Sequence, residues 1–250
     1  MNRIVNLFLI IALWGISCSV HGQKSHPDPE QDIERVLRNV AGNIIQNSTF
    51  RIVNKETGET FVNSKNLPIN AAYGVESPYN KWEYWNGVLN IGFLTLGNQL
   101  NDDQYIEYAK KNVAFVFNHD QYFREMYNSG FMKTGMRQKY QMALLDHVGA
   151  MGASVLAVHE IDPQKRYREY LDTAATYIME KEKRLEDGTF CRTFPFEMTV
   201  WGDDLYMSIP FLARMGALTG EQKYFDEATK QVILFNKHLW DPQTNLFYHC

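Results

Sequence analysis

Apolar positions along the chain group into runs with helical spacing, separated by short polar turns. Three such runs, "GVLNIGFLTLGNQL" at 87–100, "DHVGAMGASVLAVHE" at 146–160 and "YMSIPFLARMGAL" at 206–218, are apolar or small on nearly every side. Each is followed by a turn, "LNDDQ", "IDPQKR" or "LTGEQK", and then by a second run that opens with Tyr-x-acid-x-(Ala/Leu): Tyr105 to Ala109, Tyr167 to Leu171 and Tyr224 to Ala228. The second runs keep a polar face. Each unit therefore reads as a helical hairpin with a buried first helix and a half-exposed second one. The tyrosines recur about sixty residues apart, which leaves room for a loop in every unit and exceeds the period of short solenoid repeats. Inner helices alternating with outer ones predict an all-α fold, an (α/α)6 toroid. Residues 32–46 supply a further outer helix. Strand signals are confined to "FRIVN" (50–54) and "TFVNS" (60–64), joined by "KETGE" as one small hairpin. Only about three and a half hairpins are present, fewer than a closed toroid needs, so the chain is expected to be the N-terminal part of a longer domain.

The first residues belong to a different pattern. Arg3, a short apolar run from Ile4 to Ile16 and small residues after it predict a secretory signal peptide over residues 1–22. That leaves residues 23–250 as part of a single domain. Gly15 stands where lipid attachment at Cys18 would prefer a larger aliphatic side chain, so simple secretion or a periplasmic location is favoured over a lipoprotein. No run is long enough to span a membrane. A formal net charge of -4 without a basic cluster excludes a nucleic-acid surface. Cys191 and Cys250 are too few for a disulfide framework.

Candidate chemistry follows from the repeat itself. About twenty residues before each repeat tyrosine stand Trp85-Asn86, Asp146 and Asp203, at the start of each inner helix. Those starts line one mouth of a toroid, so residues far apart in sequence converge there. An aspartate ahead of an apolar run is also the ordinary N-cap, and both readings stand for the pair Asp203-Asp204. Pro210 favours a regular helix starting near Ser208, with Asp203 in a preceding turn. Trp201, Met207 and a second carboxylate at Asp146 would raise the pKa of Asp203, as general acid catalysis requires. The aromatic stretch "YNKWEYWNG" (79–87) and Trp201 suit stacking on sugar rings, although Trp82 and Tyr84 fit a core equally well. "GAMGAS" (149–154) lacks the strand and glycine spacing of a nucleotide loop and reads as close helix packing. His147, His159 and His249 have no metal-ligand spacing, and no G-x-S-x-G elbow is present.

"RLEDGTFCR", "VWGDDLYMSIPFLARMGALTGEQKYFDEATKQ", "LLDHVGAMGASVLAVHEI" and the terminal "LFYH" together resemble glycoside hydrolase family 105, the unsaturated rhamnogalacturonyl hydrolases, related to the family 88 unsaturated glucuronyl hydrolases. The likeness runs from about Glu30 to the end, and Trp-x-Asp-x-Leu-Tyr-Met is its most specific part. The resemblance implies an (α/α)6 barrel closed by a C-terminal part that also contacts substrate. It implies Asp203 as general acid and base and Asp146 as the second essential carboxylate. Trp201, Met207 and His249 would contact sugar, with Trp85 and Asn86 in the substrate subsite. The implied reaction is hydration of the C4=C5 bond of the terminal unsaturated uronic acid on a lyase-generated pectin-type oligosaccharide, with no metal or organic cofactor. On this combined ground Asp203 is favoured as catalytic and Asp204 as the cap. Two other readings fit the toroid: an ordinary glycosidase or sugar epimerase, and a helical-repeat module that binds glycan without chemistry.

Overall fold

A computed structural model of the protein describes residues 29–132 and 135–250. The expected signal peptide and Cys18 lie outside the described residues. The chain divides into an N-terminal unit, residues 1–38, and a second unit, residues 39–250. In the first, the opening part of helix α1 (Pro29–Gln46) carries the intrahelical pair Glu34–Arg38 at 2.7 Å. The second unit begins inside α1, whose Ala41, Ile44 and Ile45 join its core.

Three helical hairpins build that core. They pair α2 (Tyr84–Leu100) with α3 (Asp103–Asn118), α6 (Leu145–Ile161) with α7 (Lys165–Thr176), and α8 (Asp203–Thr219) with α9 (Gln222–Leu239). The first helices pack side by side with α6 in the middle, and the second helices lie outside them, each against its own partner. This is the expected inner and outer layering. The repeat tyrosines Tyr105, Tyr167 and Tyr224 are all buried at the starts of α3, α7 and α9. Tyr167 meets Phe117 of the preceding outer helix edge-on at 4.9 Å, which ties one hairpin to the next.

The small residues of the inner helices work as packing contacts. A Cβ at Gly149 would stand 1.5 Å from the Met207 carbonyl oxygen of α8, and one at Gly87 would stand 2.4 Å from the Ala150 backbone of α6. Glycine is therefore required at both crossings, because it alone lets two helix backbones touch.

Several elements depart from the sequence expectation. The β-hairpin is shorter than 50–54 with 60–64: β1 (Ile52–Asn54) pairs antiparallel with β2 (Thr60–Phe61), and on its other edge with β3 (Tyr73–Val75). Two helices not expected from periodicity, α4 (Asp120–Asn128) and α5 (Arg137–Gln141), fill the long connection between α3 and α6. A last hairpin pairs β4 (Trp240–Asp241) with β5 (Leu246–Phe247). Helix α8 does not begin near Ser208 but at Asp203, with Pro210 inside it. The bond that Pro210 forgoes is to the carbonyl of Tyr206, whose residue is exposed, and the Ser208 hydroxyl adds a bond to the Asp204 carbonyl at 2.7 Å.

Candidate functional site

The starts of α6 and α8 bring Asp146 and Asp203 together, as the repeat register required. Asp146 is the second residue of α6 and Asp203 the first of α8. Between them lies Arg192, a residue the sequence reading did not single out. It ends an extended segment fixed by Cys191 N donating to Lys183 O at 3.0 Å and by Phe190 N donating to the Gln231 side chain at 2.9 Å. The loop that follows is pinched shut, with Arg192 N donating to Thr199 O at 2.8 Å and Met198 N to Arg192 O at 2.9 Å. The guanidinium is thereby aimed from a fixed backbone.

Arg192 uses both edges of its fork. Nη1 and Nη2 donate to the two carboxylate oxygens of Asp146 at 2.9 and 3.0 Å. Nε and Nη2 donate to the two oxygens of Asp204 at 3.0 and 2.9 Å. Nη2 also reaches Asp203, at 3.2 and 3.3 Å. Paired two-point contacts of this kind are the strong, geometry-specific form of arginine recognition. The guanidinium lies 4.3 Å from the ring centre of Trp201, which covers one of its faces. Trp201 in turn meets His249 edge-on at 5.2 Å, and His249 Nε2 stands 3.8 Å from Asp203 Oδ1. The backbone joins the same residues, since Gly202 N donates to His249 O at 2.5 Å.

One guanidinium cannot neutralise three carboxylates. Burial pushes the carboxyl of Asp204 up to about 7, against the pull of Arg192, with Asp146 and Asp203 adding to the rise. Behind it, burial pushes Glu182 up to about 7 as well, with Asp204 contributing. The Asp204 and Asp146 carboxylates outweigh burial at Arg192 and keep its pKa above the usual value.

Four sequence expectations change here. Asp204 is not the cap: the residue is only 3% exposed and its side chain turns inward to Arg192, while no side chain caps α8. Asp203 does not lie in a preceding turn among apolar groups, because its nearest partners are ionic. Asn86 is 0% exposed, and its Nδ2 donates to the carbonyls of Pro78 at 2.8 Å and Lys81 at 3.0 Å, so it anchors the entry to α2. Met207 is buried where α8 crosses α6. Trp85 behaves differently: it is 50% exposed on the first turn of α2, edge-on to Tyr84 at 5.1 Å. Trp82 belongs to the core. His147 Nδ1 accepts from Ala143 N and His159 Nδ1 from Gln164 N, both at 3.1 Å, so each fastens a turn.

Several clefts among the described residues are lined without these carboxylates. One of about 670 Å3 is lined by Asn63, His119 and Tyr122, and one of about 460 Å3 by Lys55, Tyr73 and Phe123.

The sequence model of Glycosyl Hydrolase Family 88 matches residues 54–250. The unsaturated rhamnogalacturonyl hydrolase YesR of Bacillus subtilis (strain 168) is 29% identical over 106 residues, 40% of this chain and 31% of that relative. Among solved structures, a possible member of the GH105 family from Klebsiella pneumoniae superposes with a TM-score of 0.58 at 19% identity, covering 96% of this chain and 56% of that one. A family 105 glycoside hydrolase of C. acetobutylicum superposes with a TM-score of 0.55 at 24% identity, covering 68% of this chain and 43% of that one. At such identities the structural likeness is one of fold. The chain spans about half the length of the solved structures it matches.

Proposed function

The chain belongs to glycosyl hydrolase family 88, and from that premise we propose that it removes the terminal 4,5-unsaturated uronic acid from pectin-type oligosaccharides by hydrating the C4=C5 bond. Asp203 gives its proton to C4. Water then adds at C5 and returns a proton to the Asp203 carboxylate, and the hemiketal so formed opens, releasing the neighbouring sugar. The same residue must act first as acid and then as base, which calls for a carboxyl of tuned pKa in a site open to water.

The observation that carries this reading is the meeting of Asp146 and Asp203 on one nitrogen of Arg192, beside Trp201 and His249. With all three aspartates ionised, the single guanidinium leaves a net negative cluster, and a uronate carboxylate brings one more charge. A proton held within the cluster relieves that repulsion. Trp85 and Trp201 offer aromatic faces for sugar. The name of the Bacillus subtilis relative supports the unsaturated substrate class. The leader expected over residues 1–22 supports action outside the cytoplasm.

The test follows the near-ultraviolet absorbance of unsaturated disaccharides made by polysaccharide lyases. The unmutated protein should remove the absorbance, and Asp203→Asn should slow the loss by about 10²- to 10⁴-fold. Folded unmutated protein that leaves the absorbance of every such disaccharide unchanged would overturn the proposal.

A further inference from the structure

The long connection between α3 and α6 helps to build a polar cavity that the hydration chemistry does not use. Its volume is about 420 Å3, residues of α4, α5 and α7 form most of its wall, and none of Asp146, Arg192 and Asp203 lines it. Lys139 of α5 is its unusual member. The side chain is only 4% exposed, it pairs with Asp120 of α4, and its Nζ stands 4.6 Å from the Phe117 ring centre and 4.9 Å from that of Tyr140. Withdrawing an ammonium from water is costly, and aromatic faces with one carboxylate return only part of the cost.

That carboxylate is shared. Arg124 Nη2 donates to Asp120 Oδ2 at 3.0 Å, and the Tyr140 hydroxyl donates to Asp120 Oδ1 at 3.0 Å. Two cations thus rest on one anion. Arg166, on the α7 wall, gives Nε to the side-chain oxygen of Gln164 and Nη1 to that of Asn118, both at 2.8 Å, so neither contact offsets its charge. Glu169 is the other acid of the lining, and it also serves Lys165 at 3.4 Å. Three cations against two carboxylates leave the lining with one excess positive charge. Tyr170, 7% exposed, lines the same cavity, and its hydroxyl is buried without a partner among the described residues. Such a hydroxyl is unfavourable until something bonds to it.

We propose that this cavity is a second sugar site, selective for a monoanionic uronic acid; the choice of sugar builds on the hydration reading, whose reaction consumes and releases a uronate. The carboxylate meets the excess charge of Lys139 and Arg124. A ring hydroxyl meets Tyr170, Asp120 and Glu169 accept from further hydroxyls, and Phe117 and Met142 supply apolar wall. The volume lies within the range of small-molecule pockets. A neutral hexose leaves the excess charge unmet, and the second charge of inorganic phosphate exceeds it, so the lining discriminates against both.

The full chain, labelled with 13C-methyl methionine, is titrated with sodium galacturonate and followed by NMR at the Met142 methyl, identified by its loss in Met142→Leu. The Met207 methyl, where α8 crosses α6, reports on the catalytic cluster separately. Met142 should shift with a midpoint on the order of 1 mM, while galactose or inorganic phosphate at equal concentration and ionic strength should leave it nearly in place. Arg124→Gln removes one of the two cations on Asp120 and should weaken binding by about tenfold. Glu169→Gln enlarges the positive excess and should tighten it. A Met142 signal that galacturonate leaves in place, that galactose or phosphate moves as readily, or that responds identically in folded Arg124→Gln overturns the proposal. Should Arg124→Gln not fold, a midpoint that Glu169→Gln fails to tighten overturns it equally. The titration needs no turnover. Unsaturated disaccharides whose absorbance never falls remove the hydration reading, whereas an unmoved Met142 removes the second site, so the two fail separately.

Discussion

Arg192 explains at the scale of single residues why two adjacent aspartates have different fates. The Asp203 side chain is 38% exposed beside His249, whereas Asp204 turns inward to the guanidinium. The reading that made Asp204 a cap followed the statistics of helix starts, and those statistics contain no partner for the side chain. A signal for Arg192 did exist in the sequence. Two aspartates predicted to share one rim, with a third adjacent to one of them, call for a cation, and "FCRTF" supplies one shortly before the motif. The same cluster has a stability consequence. Asp204 and Glu182, raised by burial to about 7, bind protons in the folded protein that the unfolded chain releases near pH 4. Between those values the folded state holds more protons, so stability is greatest below pH 4 as far as these groups are concerned and falls as pH rises towards 7. Glu182→Gln should flatten that decline by on the order of 3 kcal/mol. Chemical denaturation of both proteins at pH 5 and pH 7.5 checks it.

Among the elements, the inner helices owe their arrangement to glycine. Gly149 lets the α6 backbone lie against the Met207 carbonyl of α8, which sets the distance between Asp146 and Asp203 at their common end. Gly149→Ala should cost at least about 1–3 kcal/mol, since neither backbone can yield the space; a denaturation midpoint unchanged from the parent would contradict this. "GAMGAS" announced the close packing, because small residues on an apolar helix have few other uses. Helix α8 was harder to read. Proline usually marks a first turn, yet Pro210 stands well inside, where the lost bond faces the exposed Tyr206 side. Helices α4 and α5 escaped notice because they are nine and five residues long, too short for periodicity to register.

Across the second unit, burial is graded from the inner layer outward. Every residue of α6 from Val148 to Val158 is buried between α2 and α8, whereas α9 exposes Val232 and Ile233. Native-state hydrogen exchange should therefore find the amides of α6 the slowest, opening only with global unfolding, and those of α9 faster. Exchange in α9 as slow as in α6 would show that the layering does not govern stability.

The sequence alone determined the hairpin repeat, the split into inner and outer helices, the buried tyrosines and the rim register that aligned Asp146 with Asp203. All of these are written locally, in spacing of apolar positions and in turn residues, so a reader of the chain recovers them. Tertiary structure alone decided that Arg192, 46 residues from Asp146 and 11 from Asp203 along the chain, bonds to both. It also decided that Asn86 and Met207 are buried, and that Asp204 rather than Asp203 is the enclosed acid. Those outcomes depend on which side chains share a small volume and a single positive charge. Periodicity says which face of a helix is turned inward, but charge pairing inside the fold is settled only when the helices meet.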